Sequence, residues 1–150
     1  MKAANVRHYA KNSKKLKVKK IEYRRIKLAT DQVYRMVHNL RRRLHNFLKG
    51  RNKSVSTVRD MGCSPEYLKL HLEDAFYPNV VTGEVMDWNN YGAGHGRWNI
   101  DHRIPFASIR DDPTNREKLL EIVHYTNLQP LWFEDNMAKG DRLDWVPDVH

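Results

Sequence analysis

The chain has one cysteine, Cys63, in 150 residues. A lone thiol excludes an intrachain disulfide and a zinc site made from four cysteines of one chain. No apolar run approaches the ~20 residues that a membrane-spanning helix needs. The opening stretch, MKAANVRHYAKNS, lacks the apolar middle of a secretion signal, so an intracellular, cytoplasmic location is expected. Internal repeats and low-complexity tracts are also missing. A mean hydropathy of -0.80 implies a lean core. The length suits one compact domain with an appendage.

Acidic residues are scarce at one end. Residues 1–55 contain 18 Lys and Arg against 2 Asp and Glu, whereas residues 56–150 contain 9 against 16. The net charge of +9 therefore hides a basic arm joined to a mildly acidic body. Such an arm suits a polyanion, nucleic acid above all. The run KKLKVKK at 14–20 also reads as a nuclear import patch, but the basic charge continues well beyond it.

Residues 1–25, basic and without apolar clusters, are expected to be disordered in the absence of a partner. From about 26 to 49, Val33, Val37, Leu40, Leu44 and Phe47 or Leu48 recur at helical steps. Thr30 or Asp31 can cap this helix, and Gly50 can stop it. Its other face carries Arg35, Arg41, Arg42, Arg43 and Lys49, which would meet DNA phosphates without reading sequence. Residues 51–57 read as a polar linker. A further helix opens with Ser64 as cap and Pro65 in the first position.

Residues 79–97 have an irregular, Gly- and Asn-rich pattern. Their last segment, YGAGHGR, has no Gly-Lys-Ser/Thr and no helix behind it, which excludes a P-loop. Trp98-Asn-Ile-Asp101 reads as a short strand with Trp98 and Ile100 on one side. A short helix follows, capped at Asp112 or nearby and started by Pro113, with Leu119, Leu120 and Val123 inward. Residues 127–133 read as a strand that Pro130 either confines to an edge or interrupts. Residues 134–139 can form one or two helical turns, ended by Gly140.

The polar residues of this half gather where its elements meet: Asp101 and His102, then Asn127, then Asn136. WNIDHRIPFAS, HYTNLQPLW and EDNMAKGD, in that order, closely resemble the HNH endonuclease family. The nine-residue step from Asn127 to Asn136 matches that family's spacing. RRRLHNFLKG, STVRDMGCSPEYLKLHLEDAF and WNNYG look like the compact HNH proteins of phages and mobile elements, homing endonucleases among their roles. The resemblance covers roughly residues 40–142.

It implies an α+β fold with a ββα-metal core at about 97–140, inside a nuclease domain of 56–150, behind a basic helical DNA-binding arm of 1–55. By resemblance, His102 is the general base that activates water, and Asp101 and Asn136 are ligands of one divalent metal. Asn127, the second catalytic-motif residue, would pin the loop that orients His102. The third letter of the family name is Asn here. A carboxylate and an amide are hard ligands, which favours Mg²⁺, with Mn²⁺ as a substitute, over Zn²⁺. Neutral imidazole is chemically suited to taking a proton from water near working pH. Arg97, Arg103 and Lys139 are further candidates to meet phosphate. His124 can touch phosphate or pack, His95 reads as incidental, and Asp111-Asp112 as helix-capping.

The expected activity is metal-dependent hydrolysis of double-stranded DNA, as a nick or a double-strand break, by a monomer or homodimer. The alternatives are a non-catalytic DNA-binding module that keeps the HNH shape and, third, an RNA- or ribosome-binding basic protein. With no cysteine cluster, the finger must be held by packing, with Trp98, Ile100, Ile104, Leu128, Leu131, Trp132 and Phe133 as candidates.

Overall fold

No glycine or proline interrupts residues 2–49, and Lys, Arg, Ala and Leu are good helix formers. A computed structural model describes residues 2–51 and 54–148, with the backbone alone at 2–5 and 7–9. Positions 1, 149 and 150 and, in the expected linker, 52 and 53 lie outside the described residues. The chain divides into two compact units, Met1–Met36 and Val37–His150.

The first unit holds helix α1 (Lys2–Thr30) and the start of α2 (Gln32–Phe47). Disorder is expected over 1–25, whereas the described backbone from residue 2 onward is helical there. Low hydrophobicity removes a reason to pack, but nothing in the segment breaks a helix. Between α1 and α2, Asp31 is the cap. Its Oδ1 accepts from the Tyr34 amide at 2.9 Å, and its Oδ2 pairs with Lys27 Nζ at 3.0 Å.

The second unit is α+β. Among the described residues it contains the rest of α2, then α3 (Thr57–Asp60), α4 (Pro65–Glu73), β1 (Trp98–His102), α5 (Arg116–Val123), β2 (Leu128–Trp132) and α6 (Phe133–Lys139). Ser64 caps α4 by accepting from the Tyr67 amide at 3.1 Å, with Pro65 in the first turn. The cap of α5 is Asn115, not Asp112, because its side chain accepts from Lys118 N at 3.1 Å while Pro113 stays in the preceding turn. The expected linker ends in α3, with Val55 and Thr57 buried.

One half of the core joins α2 to α5. Leu44, Leu48, Val55, Ile109, Leu119, Ile122 and Val123 form it, and Phe47 stacks on Phe106. The apolar stripe of α2 from Val37 onward thus belongs to the body. The other half is aromatic. Trp98 meets Phe76, Trp88 and Tyr91 with ring centroids 4.7–5.0 Å apart, and its Nε1 donates to Asp87 O at 2.6 Å.

β1 and β2 pair antiparallel, with Trp98 opposite Trp132, Asp101 opposite Gln129 and His102 opposite Leu128. Helix α6 follows β2 directly and packs on both strands. Gly140 ends it at φ +54°, a backbone conformation that other residues rarely adopt. Among the described residues, no helix is long and apolar enough to cross a membrane.

Candidate active site

Side chains alternate along a strand, so the end of β1 presents Asp101 on one face and His102 on the other. Asp101 shares its face with Gln129, whose Nε2 donates to Asp101 Oδ2 at 2.9 Å. Lys139 of α6 brings its ammonium to 3.3 Å from the same oxygen and donates to His102 O at 3.1 Å. Asp101 Oδ2 is therefore committed twice. Oδ1 accepts no hydrogen bond from the described residues and is not sealed from solvent.

Asn136 lies three residues before Lys139 on α6, which puts both side chains on one face of that helix. Its amide is half-buried, and no hydrogen bond from the described residues occupies it. Asp101 and Asn136 are thus two hard oxygen donors left uncommitted, a set that fits a small divalent cation such as Mg²⁺. Among the described residues, no group of three or more His, Cys, Asp or Glu side chains converges on a metal position.

His102 is 9% exposed, and its ring lies 4.8 Å from that of Phe106. Leu40, Leu44, Thr57, Val123 and Leu128 complete its surroundings. Neither ring nitrogen bonds to the described residues, and neither is sealed off. Burial, followed by the positive charges of Arg43 and Lys139, pushes the imidazole down to about 3, so it is neutral near pH 7.

Asn127 holds the chain just beyond His102. Its Oδ1 accepts from Ile104 N at 2.8 Å, and its Nδ2 donates to Ile104 O and Ile122 O at 3.1 and 2.9 Å. Arg103 N also donates to Asn127 O at 2.8 Å. One buried amide therefore ties the loop after β1 to the end of α5.

The cations expected to meet phosphate separate into two groups. Arg41, Arg42, Lys49, Arg97 and Arg103 are exposed, and Arg35 is half-buried. Arg43 and Lys139 instead point inward, which corrects their placement on the phosphate-facing surface. Arg43 donates to Ile100 O and, at 2.7 Å, to Asn99 Oδ1, so it covers the outer edge of β1. Burial draws its guanidinium below its usual value, with Tyr91 and Asp101 opposing that shift. Lys139 is 2% exposed. Both turn in because a strand edge and a carboxylate offer acceptors that need a donor once water is removed.

The two other histidines singled out in the sequence, His95 and His124, have ordinary surroundings. His124 bonds Thr126 Oγ1 through Nδ1 at 2.8 Å and packs over Gly62, where an added Cβ would lie 2.2 Å from Nε2. His95 is exposed and contacts Glu134 Oε1 at 3.0 Å. Gln129 and Tyr77 were not found from the sequence. The Tyr77 hydroxyl donates to Asp135 Oδ2 at 2.5 Å and accepts from Trp132 N at 3.4 Å, tying α6 to β2 beside Asn136. The alternation of β2 puts Gln129 beside Asp101 once the register is known, whereas Tyr77 has no local signal. Compared with protein-family models, curated proteins and solved structures, the chain matches none.

Proposed function

We propose that the protein is an endonuclease that hydrolyses DNA phosphodiester bonds at the end of β1, through a ββα-metal finger of the HNH kind. The observation that carries this reading is the pairing at Asp101-His102. Among the described residues, one carboxylate oxygen is uncommitted, and the adjacent imidazole is neutral with neither nitrogen hydrogen-bonded.

His102 would take the proton from the water that attacks phosphorus. A base held near 3 is weak, but a phosphodiester beside it adds negative charge and raises it toward working pH. Asp101 Oδ1 and the Asn136 amide oxygen would hold Mg²⁺ or Mn²⁺, which supplies charge relief at the leaving oxygen. Lys139 keeps the other Asp101 oxygen engaged, so that the carboxylate presents one oxygen only. Asn127 fixes the loop that sets the direction of His102. Arg97 and Arg103, exposed at either end of β1, would meet the flanking phosphates.

The second reading is a DNA-binding module without catalysis. Lys139 favours it, because its ammonium already neutralises Asp101 and lets the fold stand without a metal. Supercoiled plasmid incubated with the protein and Mg²⁺ or Mn²⁺ separates the two. Nicked or linear product that disappears in His102→Ala supports the enzyme. Intact plasmid with both metals and several DNA substrates supports the module.

A further inference from the structure

Helix α1 is basic on every side. All eight Lys and Arg from Lys11 to Arg25 are exposed, and the only acid in the helix, Glu22, pairs with Arg25 at 2.7 Å. At about 100° per residue, these cations leave no sector of the helix much wider than about 100° without positive charge. The exposed large apolar residues, Val6, Leu16, Val18, Ile21, Tyr23 and Ile26, fall at scattered angles and form no stripe. Such a rod has no face for a bilayer or a coiled-coil partner, both of which need apolar residues in register.

Charge on all sides suits an anion that surrounds the helix. We infer that α1 inserts into the major groove of duplex DNA, with phosphates of both strands along its flanks. That groove, about 12 Å wide, admits an α-helix, whereas the deep, narrow major groove of A-form RNA does not. The charge is also sufficient to hold a duplex: the 15 residues from Lys11 to Arg25 span about 22 Å, along which their Lys and Arg face about 13 phosphates and can neutralise more than half of them. The inference rests on DNA being the substrate of the body. It adds that the first unit reaches into the groove and does not merely rest on the backbone.

The test is binding by the full chain in EDTA, where no cleavage occurs. Wild type is compared with a variant carrying Lys14→Gln, Lys15→Gln, Lys19→Gln and Lys20→Gln, substitutions that keep helix propensity. Three probes share one sequence: a plain DNA duplex, the same duplex with glucosylated 5-hydroxymethylcytosine filling the major groove, and duplex RNA. The expected result is at least tenfold weaker binding of the variant to plain duplex, with a salt slope shallower by about 3 to 4. On the other two probes, wild type and variant should differ by less than twofold.

An equal loss on all three probes overturns groove insertion, and so does no loss on any. Circular dichroism checks that the variant keeps its helix; if it does not, Lys17→Gln with Arg24→Gln replaces it, with a salt slope shallower by about 2 and the same comparison across the three probes. Plasmid cleavage by wild type is read separately. Groove-dependent binding without cleavage supports the helix assignment and removes the nuclease reading, whereas cleavage without groove dependence does the reverse.

Discussion

The two ends of the β1–β2 hairpin are a few residues apart and differ in almost every physical respect. At one end Trp98 faces Trp132, both nearly inaccessible, and both indole nitrogens donate to backbone carbonyls. At the other, Asp101 faces Gln129 and His102 faces Leu128, and one oxygen of Asp101 and both ring nitrogens of His102 have no hydrogen bond from the described residues. The first end pairs both of the indole nitrogens it buries, so it contributes stability. The second leaves groups unpaired at the boundary of a dry core, an arrangement that stability alone does not favour. The difference teaches where chemistry can occur on this hairpin and what holds it in place.

The largest expected effect breaks the comparison at its polar end. His102→Ala should lower plasmid cleavage about 10²- to 10⁴-fold, the usual range for a general base, with little change in melting temperature. An unchanged cleavage rate would remove His102 from the chemistry. At the aromatic end, Trp98→Ala or Trp132→Ala should cost about 3–5 kcal/mol in urea unfolding, through lost burial and the cavity left behind. Activity would fall with the folded fraction. An unchanged midpoint in both variants would mean that packing does not hold the hairpin.

Asn127→Ala links the ends. It strips three hydrogen bonds from a buried site, which should cost about 1–3 kcal/mol. It should also lower cleavage in the remaining folded protein, because the loop after His102 is released. If stability falls and the rate per folded molecule stays, Asn127 is purely structural.

The last expected effect is a pH dependence. His102 is pushed from 6.5 to about 3 in the folded chain, so the unfolded state binds more protons between those values. The stability it contributes is present above about 6.5 and is lost as pH falls toward 3. In metal-free protein, His102→Gln should therefore lose less stability than wild type on acidification through this window. Parallel curves would contradict the burial of a neutral imidazole.

Much of the local structure was legible in the sequence because its causes are local. Ser64-Pro65 marks the start of α4 and Gly140 the end of α6 through backbone rules that act over a few residues. The alternation of Trp98, Asn99, Ile100 and Asp101 similarly predicts which side chains share a face. Composition misled in the first 25 residues, where low hydrophobicity suggested disorder although nothing opposed a helix. The cations were the least legible part of the candidate site. Arg41, Arg42 and Arg43 are consecutive and chemically identical, yet only Arg43 finds a carbonyl and an amide from residues 56 and 57 positions away. Nothing in the local pattern distinguishes it.

The sequence by itself determined the basic N-terminal region, the strands and the order in which Asp101, His102, Asn127 and Asn136 arrive. Periodicity, capping and charge are properties of neighbouring residues, and they need no folded partner. Only the tertiary structure decided that Lys139 and Arg43 turn inward, that Gln129 engages one oxygen of Asp101 and that His102 is neutral. Those outcomes depend on which acceptors lose water when α2, α6 and the hairpin pack together. Desolvation and ion pairing act across space between residues far apart in the chain, so the fold had to bring them together first.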